Sequence, residues 1–276
     1  MKSQRLIEAV YSRPWNITGN GWMAVHQAFQ GHLHGAKPRE DEEDFRRAFE
    51  DFIIQRPHME IDDQGVAHIH VMGVLAPKLP PLMKACGLTD YGVLTQELQT
   101  ARRQARAILL IVDSPGGYCE GNAEVAYLVS EIARSMPVTA WTDGSMCSAA
   151  YKIAVGARRI WSTPSADTGS IGTIIPLVDT SGAWEQKGWK PAYVTHTGGD
   201  LKAAGYPPSF TEEHMAYFQE LVDDTFSLFR NHVLANRSID AEAMRGQVFT
   251  ANRALAENLI DAIGLREDAY RELLRG

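Results

Sequence analysis

The sequence predicts an α/β domain built around a parallel sheet, and three observations carry that reading. Ala107-Ile108-Leu109-Leu110-Ile111-Val112 is a short, wholly apolar, branched run, as expected of a strand covered on both faces. Extended and helical patterns alternate on either side of it, the order that right-handed crossovers produce. The composition is that of a globular protein, with 45 % apolar and 22 % charged residues in 276. A chain of that length buries roughly 75 % of its unfolded surface and needs no staples.

Taken in order, residues 1–62 read as an irregular N-terminal arm and residues 63–276 as the α/β domain. Trp15, Trp22 and Phe29 suggest local packing in the arm. Its run Arg39-Glu40-Asp41-Glu42-Glu43-Asp44 reads as a solvated helix start or linker. Val66 to Val74 alternates and predicts a strand. Residues 94–106 predict a helix with Leu94, Leu98 and Ala101 on one face. The apolar strand 107–112 follows and ends in Asp113-Ser114-Pro115-Gly116-Gly117, which reads as a turn. Next come a helix at 121–134, a strand from Val138 to Trp141, a short helix at 147–156 and a strand from Arg159 to Trp161. Thr173 to Val178 and Ala192 to Thr195 read as further short strands. Residues 211–235 predict a long amphipathic helix capped by Thr211, with Glu212 and Glu213 complementing its dipole. Helical patterns return at 251–260 and 266–274.

Bulk properties exclude several function classes. The formal net charge of −7 argues against nucleic acid as the main partner. Three cysteines, Cys86, Cys119 and Cys147, are too few and too scattered for a disulfide framework or a zinc knuckle. They fit a reducing compartment. No apolar run approaches a membrane span, and the first residues lack the apolar core of a secretory signal. The expectation is therefore a cytoplasmic protein without a membrane partner. His32 with His34, and His68 with His70, are spaced to share a face if extended. No third ligand is evident for either pair, so no metal and no cofactor are expected.

Four segments are candidates for chemistry. Gly116 and Gly117, after a buried strand, let the backbone approach a ligand and aim N–H groups at an oxyanion. Gly144-Ser145-Met146-Cys147-Ser148-Ala149-Ala150-Tyr151 leads from a strand into a helix of small residues, with a serine hydroxyl at the positive end of the helix dipole. Thr168-Gly169-Ser170-Ile171-Gly172-Thr173 is glycine-rich, and Lys202 lies in the glycine-rich run His196 to Gly205. Taken singly, each has an ordinary reading: a tight turn, an N-cap serine, a loop, a solvated lysine.

Together, in this order and spacing, they resemble the signal peptide peptidase A family of serine peptidases, including its bacteriophage prohead, or capsid maturation, proteases. The resemblance covers roughly residues 66–264 and extends to Ala254-Leu255-Ala256-Glu257-Asn258-Leu259-Ile260-Asp261. Ala149-Ala150 stand where the family has two glycines. Asn258 stands at a usual glycine, a position asparagine fills because it accepts a left-handed backbone.

The resemblance implies the Clp protease/crotonase-like fold with ββα-type units and a Ser-Lys dyad. Ser148 is then the nucleophile, Lys202 the general base and Ser170 the serine that orients the lysine. The N–H groups of Ala149 and of Gly116 or Gly117 would form the oxyanion hole. A serine hydroxyl needs an adjacent base, and a lysine serves as one only when neutral. A histidine base is disfavoured, because Thr173 to Gly188 contains none and the nearest downstream is His196. The arm, with Tyr11-Ser12-Arg13-Pro14-Trp15-Asn16-Ile17-Thr18, and the loop from Ala76 to Tyr91 point to the prohead branch. The implied function is cleavage of scaffold, capsid or portal proteins in an assembling procapsid, by a homo-oligomer in the host cytoplasm. An extended peptide would pair with an exposed strand edge beside the site, with small side chains preferred before the cut. Three alternatives stand: a cytoplasmic signal-peptide-peptidase-like protease of bacterial origin, a non-catalytic assembly protein on the same fold, and a crotonase-type acyl-CoA enzyme.

Overall fold

In a computed structural model, the structure describes residues 14–23, 25–26, 59–79, 88–190, 192–204 and 210–276. Phe29, the run Arg39 to Asp44, the His32/His34 pair, Cys86 and most of the loop between Ala76 and Tyr91 lie outside the described residues.

The strands are β1 (Trp15–Ile17), β2 (Met59–Ile61), β3 (Val66–Ala76), β4 (Thr89–Asp90), β5 (Ala107–Tyr118), β6 (Val138–Cys147), β7 (Arg159–Ser162), β8 (Asp167–Gly169), β9 (Val248–Thr250) and β10 (Ala262–Ile263). The helices are α1 (Tyr91–Gln104), α2 (Asn122–Ser135), α3 (Ala149–Ala154), α4 (Ser181–Gln186), α5 (Glu212–Asn236), α6 (Ala251–Ala256) and α7 (Arg266–Leu273), with 3₁₀ turns at Asp200–Ala203 and Ala241–Met244. Among the described residues all ten strands belong to one mixed sheet with spine β10-β7-β6-β5-β3-β2. The pairs β3–β5, β5–β6, β6–β7 and β7–β10 are parallel, and β2 and β1 add antiparallel. This is the α/β sheet the sequence predicts. The expected arm thus contributes two short strands to it.

The apolar run in β5 divides its residues between two cores because successive side chains point to opposite faces. Ile108, Leu110 and Val112 enter the main core, shared with Leu94 and Leu98 of α1, Val125 and Val129 of α2, Ile153 of α3 and Phe229 and Val233 of α5. Leu109 and Ile111 face the other way and pack with Val66 and Trp141 under Ala269 and Leu273 of α7. Burying a Leu or Ile of this kind is worth roughly 1.5–3 kcal/mol each, so the alternation fixes the register of the central strand.

Helix starts follow the side-chain chemistry. The Asp90 carboxylate accepts from the Gly92 and Val93 N–H groups at 2.8 and 3.3 Å and opens α1. Thr211 caps α5 as expected, its hydroxyl accepting from His214 N–H at 3.1 Å. Asn258 adopts φ +61°, the left-handed backbone expected where the family has glycine.

Several local expectations need correction. Asp113–Gly117 is not a turn; β5 runs through it to Tyr118, because β3 stays paired with it as far as Leu75↔Gly117. β6 likewise continues to Cys147 instead of ending at Trp141, since Ser145–Cys147 pair with Asp167–Gly169 of β8. Thr173 to Val178 and Ala192 to Thr195 are not strands; Ile174 makes one isolated bridge, to Trp15. Their alternation reflects apolar residues left on the surface, with Val178 and Val194 both exposed. Among the described residues no helix is long and apolar enough to cross a membrane.

Candidate active site

Ser148 sits at the junction between β6 and α3. Two parallel strands deliver it. β5 holds Ser114 against Met146 of β6, and β8 holds Gly169 against Cys147. The Ser148 N–H then donates to Gly169 O at 2.7 Å, and Ser148 O accepts from Lys152 N–H in the first turn of α3. The result is a backbone with φ +55° and ψ −117°. A non-glycine residue there costs on the order of 1–3 kcal/mol and persists only where its surroundings over-determine it. Ser148 has no solvent exposure, and its hydroxyl has no hydrogen-bond partner. A buried orphan hydroxyl costs a further 1–3 kcal/mol or so.

Gly116 adjoins it. A Cβ on Gly116 would stand 2.9 Å from Ser148 Cβ and 2.2 Å from Asn16 O, at a backbone φ of +110°. Only glycine fits that approach. A Cβ on Gly117 would meet Leu75 O at 1.9 Å, so that glycine is required by β3. The Gly116 N–H donates to Ser114 Oγ at 3.1 Å, and the same hydroxyl donates to Gly73 O at 2.6 Å. Of the two glycines, Gly116 is therefore the one placed against the serine. Ala149 opens α3, and its carbonyl accepts from Asn122 Nδ2 at 3.0 Å, which ties α3 to α2. Small side chains at 149 and 150 are demanded by burial, both being fully enclosed.

Ser170 follows β8 with φ +50°, is nearly buried, and donates its N–H to Gln247 O at 2.8 Å. The structure thus brings together Ser148, Ala149 and Gly116 directly, with Gly117 one residue beyond and Ser170 one residue past the carbonyl that anchors Ser148. It does not bring Lys202 to them. Lys202 is exposed in the 3₁₀ turn Asp200–Ala203, and no hydrogen bond joins it to Ser148 or Ser170. His196 packs against Gly199 in the same outer segment.

One lysine escaped the sequence reading. Lys152, one helical turn after Ser148, is buried, with its ammonium 5.6 Å from the centre of the Phe229 ring. Burial lowers its pKa, with Cys119 and Glu124 opposing. The signal available was a single cation inside Ala149-Ala150-Tyr151-Lys152-Ile153-Ala154, otherwise free of charge. Among the described residues no group of three or more His, Cys, Asp or Glu is gathered to hold a metal ion.

The chain is similar in sequence to several proteins of known or assigned class. A putative signal peptide peptidase SppA of Enterococcus faecium is 32 % identical over 177 residues, covering 62 % of this chain and 51 % of the relative. The capsid assembly protease C of Escherichia phage lambda is 27 % identical over 211 residues, covering 74 % of this chain and 48 % of the relative. The chain spans about half the length of both. A ClpP1 structure from Listeria monocytogenes is 12 % identical, covering 75 % of this chain and 95 % of the other at a TM-score of 0.46. Residues 130–275, more than half of the chain and including Ser148, Ser170 and Lys202, match the sequence profile of Peptidase family S49, and the chain belongs to that family.

Proposed function

We propose that the chain is a serine endopeptidase with a Ser148–Lys202 dyad, housed in residues 63–276 behind an N-terminal arm of residues 1–62. The observation that carries the reading is Ser148 itself: a strained, buried serine at a strand-to-helix junction, its hydroxyl unpartnered, pressed against Gly116. Strain of this kind clusters at catalytic positions.

In the reaction Ser148 Oγ attacks the scissile carbonyl while its proton passes to the neutral Lys202 amine. The oxyanion is held by the N–H of Ala149 and that of Gly116, which exchanges its Ser114 partner for the substrate; Gly117 is the alternative donor. Lys202 then returns the proton to the leaving amine, which departs and leaves an acyl-enzyme. Water, deprotonated by the same lysine, attacks the acyl carbon; the bond to Ser148 Oγ breaks and the lysine returns the proton to that oxygen, which restores both groups. Proton transfer needs the amine within about 3 Å of the hydroxyl, so the 3₁₀ turn must move inward when substrate or a second copy arrives. Ser170 would then orient the amine.

The substrates we propose are scaffold, capsid or portal proteins, cut during procapsid maturation in the host cytoplasm. The likeness to a phage protein named as a capsid assembly protease supports this. Self-assembly is part of the proposal: Val178, Trp189 and Val194 expose apolar surface on the segment that carries Lys202, the kind of surface an interface covers. The test is co-expression with neighbouring capsid genes, followed by mapping of new N-termini by mass spectrometry. New termini that vanish with Ser148→Ala support the reading; none, with the protein folded and its partners present, overturns it.

A further inference from the structure

The strand edge that leads to Ser148 is already taken. β6 lies along β5 as far as Ser114↔Met146 and then ends at Cys147. Beyond that point β1 fills the vacated edge antiparallel, with Trp15 opposite Tyr118, Asn16 opposite Gly117 and Ile17 opposite Gly116. Flanking bonds run from Cys119 N–H to Pro14 O at 3.3 Å and from Thr18 N–H to Pro115 O at 3.0 Å. On its other side, Trp15 exchanges bonds with Ile174 at 2.8 and 2.9 Å, and Thr173 Oγ1 donates to Asn16 Oδ1 at 2.7 Å. β1 therefore lies between two walls, the end of β5 and residues 173–174, and Gly116, opposite Ile17, is the residue that adjoins Ser148. The expected exposed edge is covered.

A peptidase takes its substrate extended, and main-chain pairing with a strand edge beside the nucleophile supplies that geometry. We propose that β1 is a resident occupant of the substrate groove: Trp15–Ile17 lies where a substrate strand would pair with the end of β5, and substrate enters by displacing it. The inference rests on the peptidase reading above. It also defines the substrate class. The groove takes an extended peptide with a large aromatic side chain opposite Tyr118 and a branched apolar one opposite Gly116. Trp15 is enclosed, its ring centre 3.8 Å from that of Tyr118 and 5.5 Å from that of Trp22. Ile17, also buried, is larger than the small side chain expected before the cut. Asn16 fits least well, its Nδ2 buried without a partner, so displacement forfeits no hydrogen bond from that nitrogen. A strand of three residues can also leave without opening the sheet behind it.

The test uses the full chain in a Cys119→Ser background. Trp15→Cys with Tyr118→Cys introduces thiols at directly opposed positions, within disulfide reach in an antiparallel pair. Oxidised, this variant should lose at least about tenfold in labelling of Ser148 by a fluorophosphonate and in peptide cleavage, and reductant should restore both. Trp15→Ala should act oppositely, with labelling at least about threefold faster and a lower KM. Catalysis is bypassed in Ser148→Ala, where a fluorescent Pro-Trp-Asn-Ile-Thr peptide should bind more tightly, by anisotropy, once Trp15→Ala is added. Wild-type labelling in the oxidised cross-linked chain, or equal peptide affinity in the two Ser148→Ala backgrounds, overturns the proposal. If the peptide binds as expected while no variant labels or cleaves, groove occupancy stands and the serine peptidase reading falls.

Discussion

Ser148 and Lys202 belong to regions built in opposite ways. Around Ser148 the backbone is fixed from both sides: β5, β6 and β8 meet there, the neighbours are enclosed, and glycine is used where nothing larger fits. Around Lys202, the described residues of 171–204 hold one isolated bridge, the short helix α4 and a single 3₁₀ turn. Glycine serves differently in the two. A Cβ on Gly116 would collide with Asn16 O and Ser148, whereas one on Gly198, φ +77°, would meet nothing within 4 Å. The contrast teaches that the proposed nucleophile is preorganised by the sheet, whereas the proposed base is carried on a surface segment that something else must seat.

The largest expected effect asks whether the outer region belongs to the site at all. Ser148→Ala and Lys202→Met should each cut kcat/KM for a peptide by about 10⁴-fold or more, and the double variant should be no worse, because the two act as one unit. Lys202→Arg should fail equally, since guanidinium stays protonated. An active Lys202→Met would break the comparison, and Lys152→Met is its control, expected to retain most activity. Next in size, Gly116→Ala should lower unfolding free energy by roughly 2–4 kcal/mol in denaturant melts, through collision and strain. Gly198→Ala should cost only about 1 kcal/mol, from the backbone alone. Equal losses would mean the outer loop is as constrained as the core.

A third test sharpens the difference through pH. His232 of α5 is buried against Tyr127, and burial, aided by the Lys152 charge, lowers its pKa from 6.5 to about 4. The unfolded chain therefore binds the extra proton first, and stability should fall as pH drops from about 6.5 to about 4, by at most a few kcal/mol. His232→Leu should flatten that part of the curve in thermal melts. The smallest effect is Val194→Ser: within about 0.5 kcal/mol of wild type in unfolding, as for an exposed residue, yet with weaker self-association by light scattering if that surface packs against a second copy.

How much was legible in the sequence follows the same division. The central strand, the helices on either side and the cap at Thr211 carry local signals of periodicity and hydrogen bonding, and they appear close to where the sequence puts them. The motif glycines also announced themselves. What was missed depends on distant pairing. Asp113–Gly117 looks like a turn because Pro and Gly usually make one; β3, β6 and β1, from elsewhere in the chain, keep it extended. Trp15–Ile17 is too short to show a period and lies about a hundred residues from its partner. In 171–196 the reverse occurred: alternating apolar residues suggested strands, but the described sheet supplies them no continuous partner. Burial of Lys152 likewise depends on Phe229 of α5, which no local window contains.

The left-handed backbone of Ser148 also restricts what chemistry can evolve at this position. A β-branched side chain is a severe outlier at positive φ, so threonine, an alternative hydroxyl nucleophile in other enzymes, is closed off by a torsion angle rather than by reactivity. Cysteine adds no branch and remains open. If Ser148 is the nucleophile proposed, the side chains able to replace it are thus chosen by the shape of the main chain before any question of pKa or substrate arises.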